Sequence, residues 1–278
     1  MPHKILIMSD VHLCHGDWYD VSSEDRMELM VNALNKTYRE DPYDAIFFLG
    51  DYSLDHWVYS VGGSWLHQGL SKTKRLVDDY LSRLECPTRY LIPGNHEQYG
   101  HKLWKDITGC ERQYAVVHDD WLFLMLDNFG ANLDPAEDSD GTYTPADVDF
   151  IKEQMALHPD LPVVLCAHFF DLRSETEAFM NLVRDEERIV CLFCGHDHIN
   201  RIECHQALGC KPIIHDGQFS YTIGAMVQTC PWGWTEVTLR DEGLMCSYVY
   251  PESKLTPAGR GPLIQVSKDP SVRFFSRK

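Results

Sequence analysis

Through the first two thirds of the chain, short apolar runs rich in β-prone residues alternate with stretches whose apolar positions recur every three or four residues. Lys4 to Ser9, Ala45 to Leu49, Thr88 to Ile92, Trp121 to Leu126, Val163 to Ala167 and Ile189 to Cys194 read as strands. Between them, Ser22 to Glu40, Gln68 to Leu84, Thr144 to Leu157 and Glu175 to Glu186 read as helices. Ser22 or Ser23 is placed to cap the first, and Thr144 with Pro145 behind it to open the third. This order predicts an α/β sandwich. After Asn200 the segments shorten to Arg201–Gln206, Pro212–His215, Tyr221–Gln228, Thr235–Leu239 and Leu244–Tyr250, divided by Gly, Pro and acidic turns. They are expected to extend a second sheet. The polar, turn-rich run from Asp134 to Gly141 reads as a surface loop.

No Pro/Gly/Ser-rich linker divides the 278 residues. One domain over residues 1–250 with a C-terminal extension over 251–278 is the simplest organisation. In that extension Lys254, Arg260, Lys268, Arg273, Arg277 and Lys278 outnumber the acids, and a solvated or frayed tail is expected. Apolar stretches are strand-length, well short of the ~20 residues a membrane span needs. The first residues run into an apolar strand with no room for a secretory core, and the ten cysteines are scattered, with Cys166, Cys191 and Cys194 inside apolar runs. Both features point to a reducing cytoplasm. A formal net charge of -17 disfavours a general nucleic-acid binder, because Lys and Arg supply most of that affinity.

Polar residues able to bind cations recur just after successive strands. Asp10 and His12 follow the first, Asp51 the second, Asn95 and His96 the third, His168 a later one, and His196 and His198 another. In open α/β sheets the carboxyl ends of the strands form the ligand-binding edge, so residues remote in sequence can converge there. Asp10-Val11-His12 places a carboxylate and an imidazole on the same side of an extended segment, and Gly195-His196-Asp197-His198 repeats the spacing with two imidazoles. Gly94-Asn95-His96-Glu97 would arise by accident in a chain of this length with odds on the order of one in a thousand. The ordered set is more specific than any of its parts.

In that order, Asp10-x-His12, Gly50-Asp51, Gly94-Asn95-His96-Glu97, a lone His168 and Gly195-His196-x-His198 resemble the pattern of the calcineurin-like metallophosphoesterases. The resemblance covers Asp10 to His198. It implies a four-layer α/β/β/α sandwich of two mixed β-sheets flanked by helices, with a dinuclear metal site at the carboxyl ends of the strands. By the same resemblance Asp10, His12, Asp51 and His198 hold one ion, Asp51, Asn95, His168 and His196 the other, and Asp51 bridges them. A carboxylate has lone pairs enough for such a bridge, whereas an imidazole or amide oxygen usually serves one ion. Two divalent ions against two carboxylates and a hydroxide leave the centre at roughly +1, attractive to a phosphate despite the acidic whole. The implied reaction is attack by a metal-bridging hydroxide on a phosphoester. His96 is the implied catalytic residue, contacting the phosphate or leaving oxygen, with Glu97 or another acid orienting its ring. Nitrogen and oxygen ligands suit Mn, Fe, Co, Ni or Zn, in a divalent or mixed-valence pair.

Departures from the pattern narrow the branch. Protein Ser/Thr phosphatases of the superfamily carry Gly where Leu13 stands and an Asp-Arg-Gly run after Gly-Asp, whereas Asp55-His56-Trp57 follows Asp51 here, so that subgroup is not expected. Purple acid phosphatases place a tyrosine ligand where Leu54 stands and a glycine where His12 stands, so a tyrosinate–iron centre is not expected either. What remains is hydrolysis of a small phosphomonoester or phosphodiester. The alternatives are a nuclease of the same superfamily and a non-catalytic metal-binding or partner-assembly module on the same fold. His15, His56, Trp57, Tyr99, His101 and Trp104 follow the motifs closely enough to line a substrate rim, and His56 and Tyr99 are the candidate substrate contacts. Cys191 and Cys194 lie three apart in a strand and so face opposite sides, which argues against a shared zinc.

Overall fold

The computed structural model describes residues 3–14, 17–18, 21–56, 58–59, 63–64, 71–134, 138, 140–217, 233–252, 258–269 and 274–277. Its main strands are β1 (His3–Met8), β2 (Ala45–Phe48), β3 (Arg89–Leu91), β4 (Tyr114–His118), β5 (Trp121–Met125), β6 (Val163–Cys166) and β7 (Ile189–Cys194). They are followed by β8 (Arg201–Cys204), β9 (Pro212–His215), β10 (Trp234–Arg240), β11 (Gly243–Tyr250), β12 (Leu263–Ser267) and β13 (Phe274–Arg277). The helices are α1 (Ser23–Glu40), α2 (Lys72–Arg75), α3 (His101–Thr108), α4 (Val148–Leu157) and α5 (Glu177–Asp185), with α2 running on into a π turn over Leu76–Tyr80 and a 3-10 turn over Leu81–Arg83.

Side-chain alternation along the strands sets the layers. In β1, Ile5 and Ile7 enter the core between two sheets while Leu6 and Met8 face α1, α2 and α3. β2 repeats this with Ala45 and Phe47 inward and Ile46 and Phe48 under the helices. In the other sheet Val164 and Cys166 of β6 face inward, and Val163 and Leu165 face Ile151 of α4 and Phe179 of α5. The result is an α/β/β/α sandwich of two mixed sheets. One has the order β13-β12-β11-β10-β1-β2-β3, with β1, β2 and β3 parallel and the rest antiparallel. The other has the order β8-β9-β7-β6-β5-β4, with β5, β6, β7 and β9 parallel.

Several expectations are corrected. α4 begins at Val148 under an Asp147 cap, not at Thr144, since Pro145 disfavours helix at the residue before it and the Ala146 N–H is taken by Glu175. β4 and α3 are short and bury few side chains, Val116 in the one and Trp104 and Ile107 in the other, and both escaped the periodicity reading. The segments after Asn200 do not all join the second sheet: β8 and β9 do, whereas β10 to β13 join the first. Tyr221–Gln228 lies outside the described residues. The basic terminal region is not a frayed tail where it is described, because β12 pairs with β11 and buries Ile264 and Val266 between the sheets. Two of its cations are docked as well, Arg260 on both oxygens of Glu236 and the Lys268 ammonium 4.5 Å from the Trp121 ring centroid.

Among the described residues no helix is long and apolar enough to cross a membrane. The nine described cysteines are free, and Cys191 and Cys194 fall in different cores. Truncating both Ile264 and Val266 to Ala is expected to lower stability by about 2–4 kcal/mol in total, read as a shift of the urea midpoint. A frayed tail would leave that midpoint where it is.

Candidate metal centre

Five of the seven candidate ligands leave their strands by a sharp backbone turn. Asp10 and His12 after β1, Asp51 after β2, and His196 and His198 after β7 all have φ between 50° and 70°. Among the described residues only eight non-glycine residues have positive φ, so five of them meet here. Asp and His tolerate this region better than most side chains. Gly50 and Gly94 let the loops after β2 and β3 cross in near contact: a Cβ at Gly50 would lie 2.5 Å from the Gly94 nitrogen, and one at Gly94 would lie 2.1 Å from Asp51 Oδ1.

The turned loops gather the seven side chains. Asp51 Oδ2 lies 3.2 Å from His12 Nε2 and 3.2 Å from His168 Nε2, so one oxygen faces two groups of ligands. On one side, Asp10 Oδ1 is 3.1 Å from His198 Nε2 and 4.0 Å from His12 Nε2. On the other, Asn95 Oδ1 is 2.9 Å from His168 Nε2 and 3.0 Å from His196 Nδ1, and the two imidazole nitrogens are 3.3 Å apart. Ligand atoms about 2.1 Å from one ion sit about 3.0 Å apart in octahedral and 3.4 Å apart in tetrahedral geometry. The second group matches that spacing, and its donor set of carboxylate, amide oxygen and two imidazoles fits a transition-metal ion.

His168 is fully buried, and its Nδ1–H donates to the Leu49 carbonyl at 2.6 Å, which turns Nε2 toward Asp51 and Asn95. Burial works against a charge on this ring, but Asp51 and Asp10 outweigh it and raise its pKa to about 9. Burial likewise opposes the charge on Asp10, yet His198 and His168 hold its pKa down at about 2. His12, His96 and His196 are lowered, chiefly by burial. A cation entering this cluster takes over the role of these protons and releases them.

Glu97 does not orient His96. Its carboxylate accepts four backbone N–H groups, from Asp51 (2.8 Å), Tyr52 (3.0 Å), Ser53 (3.2 Å) and Gly94 (2.9 Å), and so clasps the two ligand loops together. Burial and the Asp51 carboxylate push its pKa up to about 8, against four amides that favour the charge. Arg112 braces the same run, donating to the Glu97 and Tyr99 carbonyls and pairing with Asp127 just beyond β5. His96 is buried beside the cluster, 8% exposed, with Nε2 3.7 Å from Asp51 Oδ2. Asp140 also reaches the site, accepting from Asn95 Nδ2 at 3.1 Å. Sequence reading passed over both Arg112 and Asp140. Asp127 carried a signal, a polar residue at a parallel strand's end, but Asp140 lay in a run that looked like ordinary surface.

The expected rim residues spread out. His56 is buried against Tyr99, with ring centroids 4.4 Å apart, and its Nδ1 accepts the Gln98 N–H. The Tyr99 hydroxyl is taken by Asp55 and Ser71, and Asp55 in turn accepts the N–H groups of Lys72 and Thr73 at the start of α2. Trp104 is fully buried in the helix-side core, not at a rim, and His101 is exposed at the start of α3. Leu54 is buried. His215 lies beside Cys194 and Asp197, outside the ligand groups. His15 and Trp57 lie outside the described residues.

A family model described as calcineurin-like phosphoesterase matches residues 3–200, and the chain belongs to that family. Among solved structures it is similar to the purple acid phosphatase PPD1 from yellow lupin (Lupinus luteus) seeds, with 14% identity and a TM-score of 0.52 over 89% of this chain and 51% of that one. It thus spans about half the length of the lupin chain. It is also similar to GAP50, described as the anchor in the inner membrane complex of Plasmodium, with 11% identity and a TM-score of 0.54 over 93% and 88% of the two chains. Vacuolar protein sorting 29 from Cryptosporidium parvum matches with 11% identity and a TM-score of 0.43 over 99% of each chain. At these identities the phosphatase and GAP50 structures bear on the fold alone. No match is found among curated proteins.

Two outcomes follow from the geometry. Glu97→Gln turns an amide nitrogen on the clasped N–H groups and should cost about 2–4 kcal/mol, seen as a lower unfolding temperature and looser metal retention. In metal-stripped protein, His168, Glu97 and Asp216 all bind protons more tightly folded than unfolded, with pKa values of about 9, 8 and 8. The His168 contribution is complete below its unfolded pKa and fades as pH climbs through 9, and the two carboxyls lose stability in the same direction up to pH 8. Thermal scans should therefore show the stripped protein losing on the order of 5 °C between pH 6.5 and 9. A rise over that window would contradict the assignment.

Proposed function

We propose that the chain is a dinuclear metal-dependent hydrolase of a small phosphoester. Asp10, His12, Asp51 and His198 would hold one cation and Asp51, Asn95, His168 and His196 the other. When bound, the pair supplies an activated water and withdraws charge from the phosphate oxygens. The observation that carries the reading is Asp51 Oδ2, placed equally close to one imidazole of each group.

His96 is the residue we assign to the leaving group. Its Nε2 faces the cluster 3.7 Å from Asp51 Oδ2, where a proton held on that atom can pass to the departing oxygen. Burial, the largest influence, keeps the ring's pKa below its usual value against the pull of Asp51, so it is not locked as a permanent cation. His56 and Tyr99 would shape the wall behind His96, His56 through its Nδ1 contact with the His96 carbonyl at 3.1 Å and Tyr99 through its hydroxyl bond to Asp55. A small substrate fits better than a nucleic acid. The net charge of -17 repels a phosphate polymer, and Arg260 is already paired with Glu236. We place the reaction in the cytoplasm, where unpaired thiols persist.

The test is hydrolysis of a panel of phosphomonoesters and phosphodiesters by purified protein loaded with Mn²⁺. Activity is expected on at least one small ester. Asp51→Asn should abolish it, and His96→Ala should lower kcat by about 10²–10⁴-fold while two ions remain bound. Activity surviving both substitutions would favour the non-catalytic module.

A further inference from the structure

A primary amide offers two ends of nearly equal shape, and only its hydrogen-bond partners tell them apart. The metal reading of Asn95 requires the carbonyl end to face His168 and His196, as it does at 2.9 and 3.0 Å. The other end, Nδ2, donates to Asp140 Oδ1 at 3.1 Å. A carboxylate oxygen accepts and cannot donate, so this contact admits one orientation of the amide and excludes its flip. The same oxygen is 3.9 Å from His96 Nε2, placing it between a ligand and the residue assigned to the leaving group.

Asp140 is itself held in place. Its N–H donates to Asp138 Oδ1 at 3.1 Å, Asp138 Oδ2 receives the Thr142 hydroxyl at 3.0 Å, and the Asp138 carbonyl receives Gln98 Nε2 at 2.5 Å. On its other side Gly141, at φ 72°, lies so close over Asn95 that a Cβ there would come within 2.6 Å of the Asn95 carbonyl oxygen. The Asp140 side chain is 68% exposed, so the core does not depend on it.

We propose that Asp140 is a positioning residue, which fixes the Asn95 amide with Oδ1 turned to the cation and steadies the His96 ring beside Asp51. This rests on the dinuclear reading above. The experiment is a Co²⁺ titration of metal-stripped wild type, Asp140→Ala and Asp140→Asn, followed by calorimetry and visible absorption, with unfolding temperatures of the stripped forms alongside. Wild type is expected to bind two equivalents. Asp140→Ala should weaken one of the two by about 10–100-fold, with an unchanged unfolding temperature, and Asp140→Asn should recover part of that loss, because its carbonyl oxygen can still accept from Asn95 although its amide end also tolerates the flip. Wild-type affinity at both sites in Asp140→Ala would overturn the proposal, as would an Asp140→Asn protein no better than Asp140→Ala. Fewer than two equivalents in wild type would overturn the dinuclear reading and this proposal together.

Discussion

The site depends on backbone held in a conformation that most residues avoid. Five of the seven candidate ligand residues, Asp10, His12, Asp51, His196 and His198, stand in the left-handed region, where an ordinary side chain costs of order 1–3 kcal/mol. An extended strand passes its side chains alternately to its two faces. At the strand's end the chain leaves that extended path, and the left-handed turns at Asp10, His12, Asp51, His196 and His198 set where these side chains point.

Such turns persist only where their surroundings enforce them. The Glu97 carboxylate, binding amides of two loops at once, is the main restraint, and it explains why an acid follows His96 without touching its ring. Arg112 extends the restraint to the end of β5 through Asp127. The close crossing at Gly50 and Gly94 leaves no room for a Cβ on either. These groups bind no ligand; they give the ligands their direction.

Much of this was legible in the sequence, for identifiable reasons. β1, β2, β6 and β7 are buried on both faces and announce themselves as continuous apolar runs. The candidate ligands follow them directly, so the strand ends and the candidate site residues are read together. What escaped lies where side chains act through tertiary contacts. Glu97 reads as a partner for its neighbour His96 until the fold shows four amides pointing at it, and Asp140 is one acid among several in a polar run. β4 buries little, and the last two strands sit in a basic stretch whose charge obscured the alternation of Ile264 and Val266.

Asp10, His12, Asp51 and Asn95 come from one sheet, whereas His168, His196 and His198 come from the other. The inner core between the sheets is apolar and has little resistance to shear, because dispersion contacts are not directional. Ions gripped from both sides would act as rivets through the sandwich, tying its two halves in register at one end. In such an architecture catalysis and the alignment of the layers share a single set of bonds.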